Sequence, residues 1–181
     1  MKFEEKTIRL KDGRQAVLRG PCAQDAEELV QWLRKTAEET HYILRYPEEV
    51  TMTAQQEEGF IDRVTQSPND CMILCLVGGE IAGNCHLTFY SSIKTKHRAD
   101  VAIGLLRKFW GLGIGTAMFE EMIRLAREHG STQLELEVLG DNERAIALYR
   151  KMGFSVYGER PNSIRLKDGT MISDYLMSRP V

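Results

Sequence analysis

Hydrophobic and polar positions along this chain change period several times, and each change marks an element. Two short β-prone runs, Thr7 to Leu10 and Gln15 to Arg19, flank Lys11-Asp12-Gly13-Arg14. Asp-Gly between such runs signals a hairpin, because the tight turn needs positive φ at its centre. Pro21 stands where a helix can begin, and Ala26, Leu29, Val30, Leu33 and Ala37 recur at helical spacing over residues 23–38, with Trp32 adding bulk. Residues 39–52 carry His, Tyr, Arg, Pro and Glu without a period and read as a loop. Thr53-Ala54-Gln55-Gln56 has the form of a capping box. Phe60, Ile61 and Val64 give the helix after it an apolar side, and Ser67-Pro68-Asn69-Asp70 ends it.

The pattern then turns to strands. Cys71–Val77, Gly78-Gly79-Glu80 and Ile81–Tyr90 read as a second hairpin, with Ala99–Leu106 as a third strand beside it. A glycine-rich bend leads into a helix reaching about Glu128, whose apolar face is Ala117, Met118, Met122, Ile123, Leu125 and Ala126, and His129-Gly130 stops it. Leu134, Leu136 and Val138 alternate with Glu135 and Glu137, the mark of a half-buried strand. Asp141 or Asn142 caps a helix through Ala145, Ile146, Leu148 and Tyr149, closed by Gly153. Two last runs, about Phe154 to Gly158 and Met171 to Met177, flank a loop whose turn is Lys167-Asp168-Gly169-Thr170.

Composition excludes more than it selects. The 181 residues suit one domain over 1–181, and a net charge of -2 gives no electrostatic case for nucleic acid or an anionic membrane. Cys22, Cys71, Cys75 and Cys85 lack Cys-x-x-Cys spacing, so they read as reduced, mostly buried thiols. No cluster of His, Cys and carboxylate suggests a metal. Met-Lys-Phe-Glu-Glu-Lys lacks the apolar core of a signal peptide, and no run approaches the roughly 20 apolar residues that span a bilayer, so a cytoplasmic protein is expected.

The chemical signal lies in Arg107-Lys108-Phe109-Trp110-Gly111-Leu112-Gly113-Ile114-Gly115-Thr116-Ala117-Met118. Any one glycine could serve only a tight turn. Three at alternate positions before a helix fit a phosphate or pyrophosphate, because the backbone can approach the anion and the first helical N–H groups lack intrahelical partners. A Walker loop would need Gly-Lys before Ser or Thr, and here Gly115 precedes Thr116 directly. A dinucleotide fingerprint from Gly111 would need glycine at Thr116; Glu135 stands at a plausible ribose distance, but too few strand-helix repeats follow.

The order of elements, together with Trp110-Gly111-Leu112-Gly113-Ile114-Gly115 and Asn142-Glu143-Arg144-Ala145-Ile146-Ala147-Leu148-Tyr149-Arg150-Lys151-Met152-Gly153-Phe154, resembles the GNAT superfamily of N-acetyltransferases over nearly the whole chain. Trp110 departs from the Gln or Arg common at its place, and no role is carried over to it. The resemblance implies an α/β fold with a mixed, mainly antiparallel sheet and helices on both faces. It implies acetyl-CoA as cosubstrate, with Gly111, Leu112, Gly113, Ile114, Gly115 and Thr116 at the pyrophosphate and Leu105, Leu106 and Arg107 along the cofactor. Asn142 meets pantetheine in this picture, though it can equally be a helix cap. Tyr149 corresponds to a general acid near the sulfur; its bland alternative is a core tyrosine.

Asp100 and Glu137 are the carboxylate candidates for general base, and either can equally be a solvated strand residue. His86 or His97 could serve by pKa, and a water-mediated base would leave no signature. The acceptor, an amine of a small molecule or a peptide N-terminus, is expected to meet residues 39–52, with Tyr42, Tyr46, Glu48 and Glu49, and the loops near Ser91–Lys96 and Arg160–Ser163. These loops leave room for a homodimer. No cysteine has motif support as a nucleophile, so direct attack is expected. A non-catalytic acyl-CoA sensor is the alternative, and a dinucleotide-binding oxidoreductase a more distant one.

Overall fold

The first turn shows how local chemistry sets an element. Gly13 takes φ +89°, and Asp12 accepts from Arg14 N–H at 3.1 Å and from Arg14 Nε at 2.8 Å. This folds β1 (Lys6–Arg9) back on β2 (Gln15–Arg19) as an antiparallel pair. In the computed structural model, which describes residues 1–181, the chain continues through α1 (Ala26–Glu39), α2 (Ala54–Gln66), β3 (Asp70–Val77), β4 (Glu80–Phe89) and β5 (Arg98–Leu105). It closes with α3 (Ile114–His129), β6 (Gln133–Leu139), α4 (Glu143–Lys151), β7 (Ser155–Arg165) and β8 (Met171–Pro180). The strands hydrogen-bond in the order β1-β2-β3-β4-β5-β6-β8-β7. β5 runs parallel to β6, whereas β1–β2, β2–β3, β3–β4, β6–β8 and β7–β8 are antiparallel. The fold is α/β with a mixed, mainly antiparallel eight-stranded sheet, as expected.

The chain forms two compact units, Met1–Thr88 with Ala102–Met118, and Phe89–Val101 with Phe119–Val181. The first is built on fully buried Leu18, Leu29, Ile61, Ile73, Leu74 and Ile81. The second is built on Phe119, Met122, Leu134 and Met177, with the Phe119 and Phe154 rings edge to face at 5.7 Å.

Caps read from sequence are present. Thr53 Oγ1 accepts from Gln56 N–H at 3.2 Å while Gln56 Oε1 accepts from Thr53 N–H at 2.9 Å. Asn142 Oδ1 accepts from Ala145 N–H at 3.1 Å. Gly130 and Gly153 follow their helices with φ +85° and +88°.

Three boundaries differ from expectation. A 3-10 turn, Ala23–Asp25, precedes α1, because Asp25 accepts from Cys22 N–H at 2.8 Å and is gripped by the Arg19 fork at 2.7 Å on each oxygen. Within residues 39–52, Pro47–Glu49 forms another such turn, in which Glu49 Oε2 accepts from Tyr46 N–H at 2.7 Å. The stretch around Arg160–Ser163 is not a loop but part of β7, since the long β8 supplies partners to Arg165. Pro161 has no N–H to give and Asn162 takes φ +53°, so the register shifts between Arg160 and Ile164.

Candidate active site

β5 leaves its ladder with β6 early. The pairs are Arg98↔Gln133, Ala99↔Leu134 and Asp100↔Glu135, although β5 runs on to Leu105 and β6 to Leu139. The second half of β5 belongs to the first unit, where it is tightly seated. A Cβ on Gly83 of β4 would come within 2.3 Å of Leu105 Cδ2 and 2.5 Å of Gly104 O, and Leu106 N–H donates to Ala82 O at 2.9 Å. Trp32 of α1 presses on Gly104, its Cη2 2.8 Å from where a Cβ would stand.

After Leu106, residues Arg107–Phe109 make a 3-10 turn. Trp110 bends back so that its indole N–H donates to Leu105 O at 2.8 Å, with the Arg107 guanidinium 5.5 Å above its ring. Trp110 thus pins the turn to the strand it leaves, a role no motif assigned. Gly111 and Gly113 have φ +80° and +93°, which side-chain-bearing residues rarely adopt. Lys11 N–H donates to Leu112 O at 3.0 Å, so the first hairpin braces the loop. Ala117 N–H bonds Gly113 O at 3.1 Å, so the first N–H groups of α3, beginning with Ile114 and Gly115, lie at the positive end of a 16-residue helix. Backbone N–H groups at a helix N-terminus are able to receive an anion.

Leu105, Leu106 and Arg107 each have a backbone group engaged within the protein. Besides the bonds above, Arg107 N–H donates to Glu39 Oε2 at 2.6 Å, and the Arg107 guanidinium donates to the Glu39 carbonyl. The clamp joins the start of the glycine loop to the end of α1.

The second unit holds the remaining candidates. Tyr149 is 8% exposed, edge to face with Phe119 at 5.4 Å, and burial pushes its phenol up to about 12. Asp100 accepts from the Tyr90 hydroxyl at 2.6 Å, and this bond, with lesser help from burial, raises the Tyr90 phenol to about 12. Glu137 is exposed and ion-paired with Arg160 at 2.6 Å. Glu135, offered as a ribose contact in the dinucleotide reading, is instead buried and held by Arg98 and Gln133, the Arg98 bonds outweighing burial to keep its carboxyl below the usual range.

His86 is half-buried, and burial lowers its pKa despite Asp70 Oδ1 lying 3.1 Å from Nε2. That approach misses hydrogen-bond geometry, so Asp70 acts on the ring by its charge. Cys71, Cys75 and Cys85 are buried and Cys22 is exposed; burial alone pushes the Cys75 thiol up to about 12. Such thiols are poor nucleophiles.

One residue escaped the sequence reading. Glu57 of α2 is 5% exposed, and burial raises its pKa against the opposing pull of Arg45. The available signal was its spacing to Ile61 and Val64, which puts an acid on the apolar stripe. In a first turn such an acid ordinarily reads as a partner of the helix dipole.

The sequence profile of the acetyltransferase (GNAT) family matches residues 26–154, well over half of the chain. The chain belongs to the GNAT family. L-amino acid N-acetyltransferase AaaT of Escherichia coli K12 is 25% identical over 119 residues, covering 65% of this chain and 73% of that protein. The GNAT acetyltransferase of Streptococcus pneumoniae superposes with a TM-score of 0.86 at 28% identity, covering 92% of this chain and 99% of the other. The microcin C7 self-immunity acetyltransferase MccE, solved with acetyl-CoA and AMP, shares the fold with a TM-score of 0.73 at 16% identity over 92% of each chain. This GNAT protein is an acetyl-CoA-dependent N-acetyltransferase, and acetyl-CoA is its cosubstrate. No helix is long and apolar enough to cross a membrane, and no group of three or more His, Cys, Asp or Glu could hold a metal ion.

Proposed function

We propose that this protein transfers the acetyl group of acetyl-CoA to a primary amine of a small molecule or a protein N-terminus by direct attack. The amine nitrogen bonds to the thioester carbonyl carbon, the carbon–sulfur bond breaks, and the amine loses a proton while the departing thiolate gains one. The observation that carries this reading is Tyr149. Its hydroxyl makes no hydrogen bond in the protein, and burial holds the phenol in its protonated form, so it has a proton to give to the thiolate. The glycine cradle holds the diphosphate, and the Asn142 amide, whose oxygen caps α4, has its NH2 group left for pantetheine. Asp100, oriented by Tyr90, and Glu137, oriented by Arg160, are the proton acceptors for the amine. The buried thiols support transfer without an acyl-enzyme.

Thiol release from acetyl-CoA across a panel of amines and peptides tests this directly. Transfer to a primary amine is expected. Tight CoA binding with no transfer to any amine would overturn it in favour of an acyl-CoA sensor.

A further inference from the structure

Glu28, Trp32 and Glu39 stand four and then seven residues apart on α1, so the three side chains share one face of the helix. Each meets the chain at a different point. Glu28 Oε1 accepts from Ile81 N–H at 2.7 Å near the start of β4. Trp32 lies on Gly104 of β5, and Glu39 Oε2 accepts from Arg107 N–H at 2.6 Å, where β5 has given way to the glycine loop. The spacings match. Seven helical residues rise about 10 Å, and the three extended steps from Gly104 to Arg107 cover about 10 Å. Glu39 is an unexpected residue for its place, because a helix C-terminus is the negative end of the dipole and favours Lys or Arg, of which the last turn of α1 has none. The acid is explained by the bond it makes to Arg107, not by the helix that carries it. In return the Arg107 guanidinium donates to the Glu39 carbonyl, one of the last of α1.

We infer that Glu39 is a positioning residue that couples acetyl-CoA binding to the order of residues 40–52. The inference rests on the seating of acetyl-CoA on the glycine loop proposed above. Arg107 opens the turn that delivers the chain to Gly111 and Gly113, and Trp110 closes that turn on Leu105 O at 2.8 Å. A diphosphate that orders the glycine loop therefore orders Arg107, and through two bonds it orders Glu39, the last helical residue before the next loop. That loop is fixed to the same helix at its far end. Arg34 Nε donates to Val50 O at 3.2 Å, and Val50 is buried. Between the two anchors, Tyr42 N–H donates to Thr40 Oγ1 at 3.1 Å and Tyr46 N–H to Glu49 Oε2 at 2.7 Å. Residues 40–52 are thus braced at both ends on α1 and respond together to the state of Glu39. Coupling of this kind is reciprocal, so an acceptor that orders the loop binds more tightly once acetyl-CoA is in place.

The test follows backbone amide exchange of residues 40–52 in the full chain, with and without CoA at a concentration that saturates each variant, alongside CoA affinity by calorimetry. In the parent protein CoA should slow exchange across 40–52 by about fivefold. Glu39→Ala, which removes the acceptor for Arg107 N–H, should bind CoA about tenfold more weakly and lose the CoA-dependent slowing even at saturation. Glu39→Gln keeps an oxygen for that N–H and should restore both. A residue that only stabilised the fold would change melting temperature and leave the slowing in place. Slowing of 40–52 in Glu39→Ala equal to the parent's, or Glu39→Gln as impaired as Glu39→Ala, would overturn the coupling through Arg107 N–H. Gly113→Ala separates the two levels of inference. Parent-like CoA affinity in that variant would overturn the seating on the glycine loop, whereas weakened affinity there with no slowing of 40–52 in the parent would overturn the role of Glu39 alone.

Discussion

Trp110 donates its indole N–H to the carbonyl of Leu105 at 2.8 Å, five residues back along the chain. The bond closes the turn between β5 and the glycine cradle from inside, and the Arg107 guanidinium covers the ring. Trp110→Phe keeps the aromatic body and removes the donor, leaving the half-buried Leu105 carbonyl without that partner. The expected loss of stability is about 1–2 kcal/mol. KM for acetyl-CoA should rise severalfold, since the cradle loses its anchor; urea unfolding and steady-state kinetics measure the two effects.

Gly113 separates backbone strain from steric crowding. A Cβ there would meet Lys11 Cγ at 3.7 Å, an ordinary contact, so the penalty of Gly113→Ala comes from φ +93°. That strain is worth about 1–2 kcal/mol. Relief through a shifted loop would misalign the α3 N–H groups, and CoA affinity by calorimetry should fall by at least about tenfold. An unchanged affinity would show that the diphosphate is held elsewhere.

Tyr149→Phe is the cleanest test of the acid. Because the hydroxyl makes no hydrogen bond, the variant should unfold at nearly the parent temperature and bind acetyl-CoA equally well. Its kcat should drop by on the order of 100-fold if proton donation to the thiolate is at stake. A rate within twofold of the parent's would make Tyr149 a packing residue only.

The Arg19–Asp25 pair governs acid stability in the first unit. Burial pushes the Asp25 carboxyl up, but the Arg19 fork and the Cys22 N–H and Sγ outweigh it and hold the folded pKa below 3.8. The stabilisation is therefore complete above the unfolded value near 3.8 and is lost as pH falls through the lower folded value. Asp25→Ala strands the Arg19 charge and should cost about 3 kcal/mol at pH 7, the low end for a broken buried pair because Arg19 keeps some contact with water. In Asp25→Asn, the difference in stability from the parent protein should shrink as pH falls below that window.

Much of the local geometry around the candidate site was legible in sequence because its signals are local. Gly111 and Gly113 stand where only glycine tolerates the turn, Thr53 and Asn142 reach N–H groups three residues on, and Tyr149 lies on the apolar face of α4 with Ile146. Each depends on neighbours within a turn or two, and periodicity or turn chemistry reports such contacts directly. The order of these elements, together with Trp110–Gly115 and Asn142–Phe154, carried the resemblance to the family.

Tertiary structure decided which charges meet. Glu135 finds Arg98 across 37 residues and Glu137 finds Arg160 across 23, and alternation along β6 shows only that the two acids lie on one face. β7 outlasts its pattern because β8 is there to pair with it. Glu57 is the clearest case. By sequence it is either a first-turn acid suited to a helix dipole or an acid on the Ile61–Val64 stripe, and only packing decides that it is buried. Desolvation and pairing depend on what surrounds a side chain in space, which the fold supplies only after the local elements have formed.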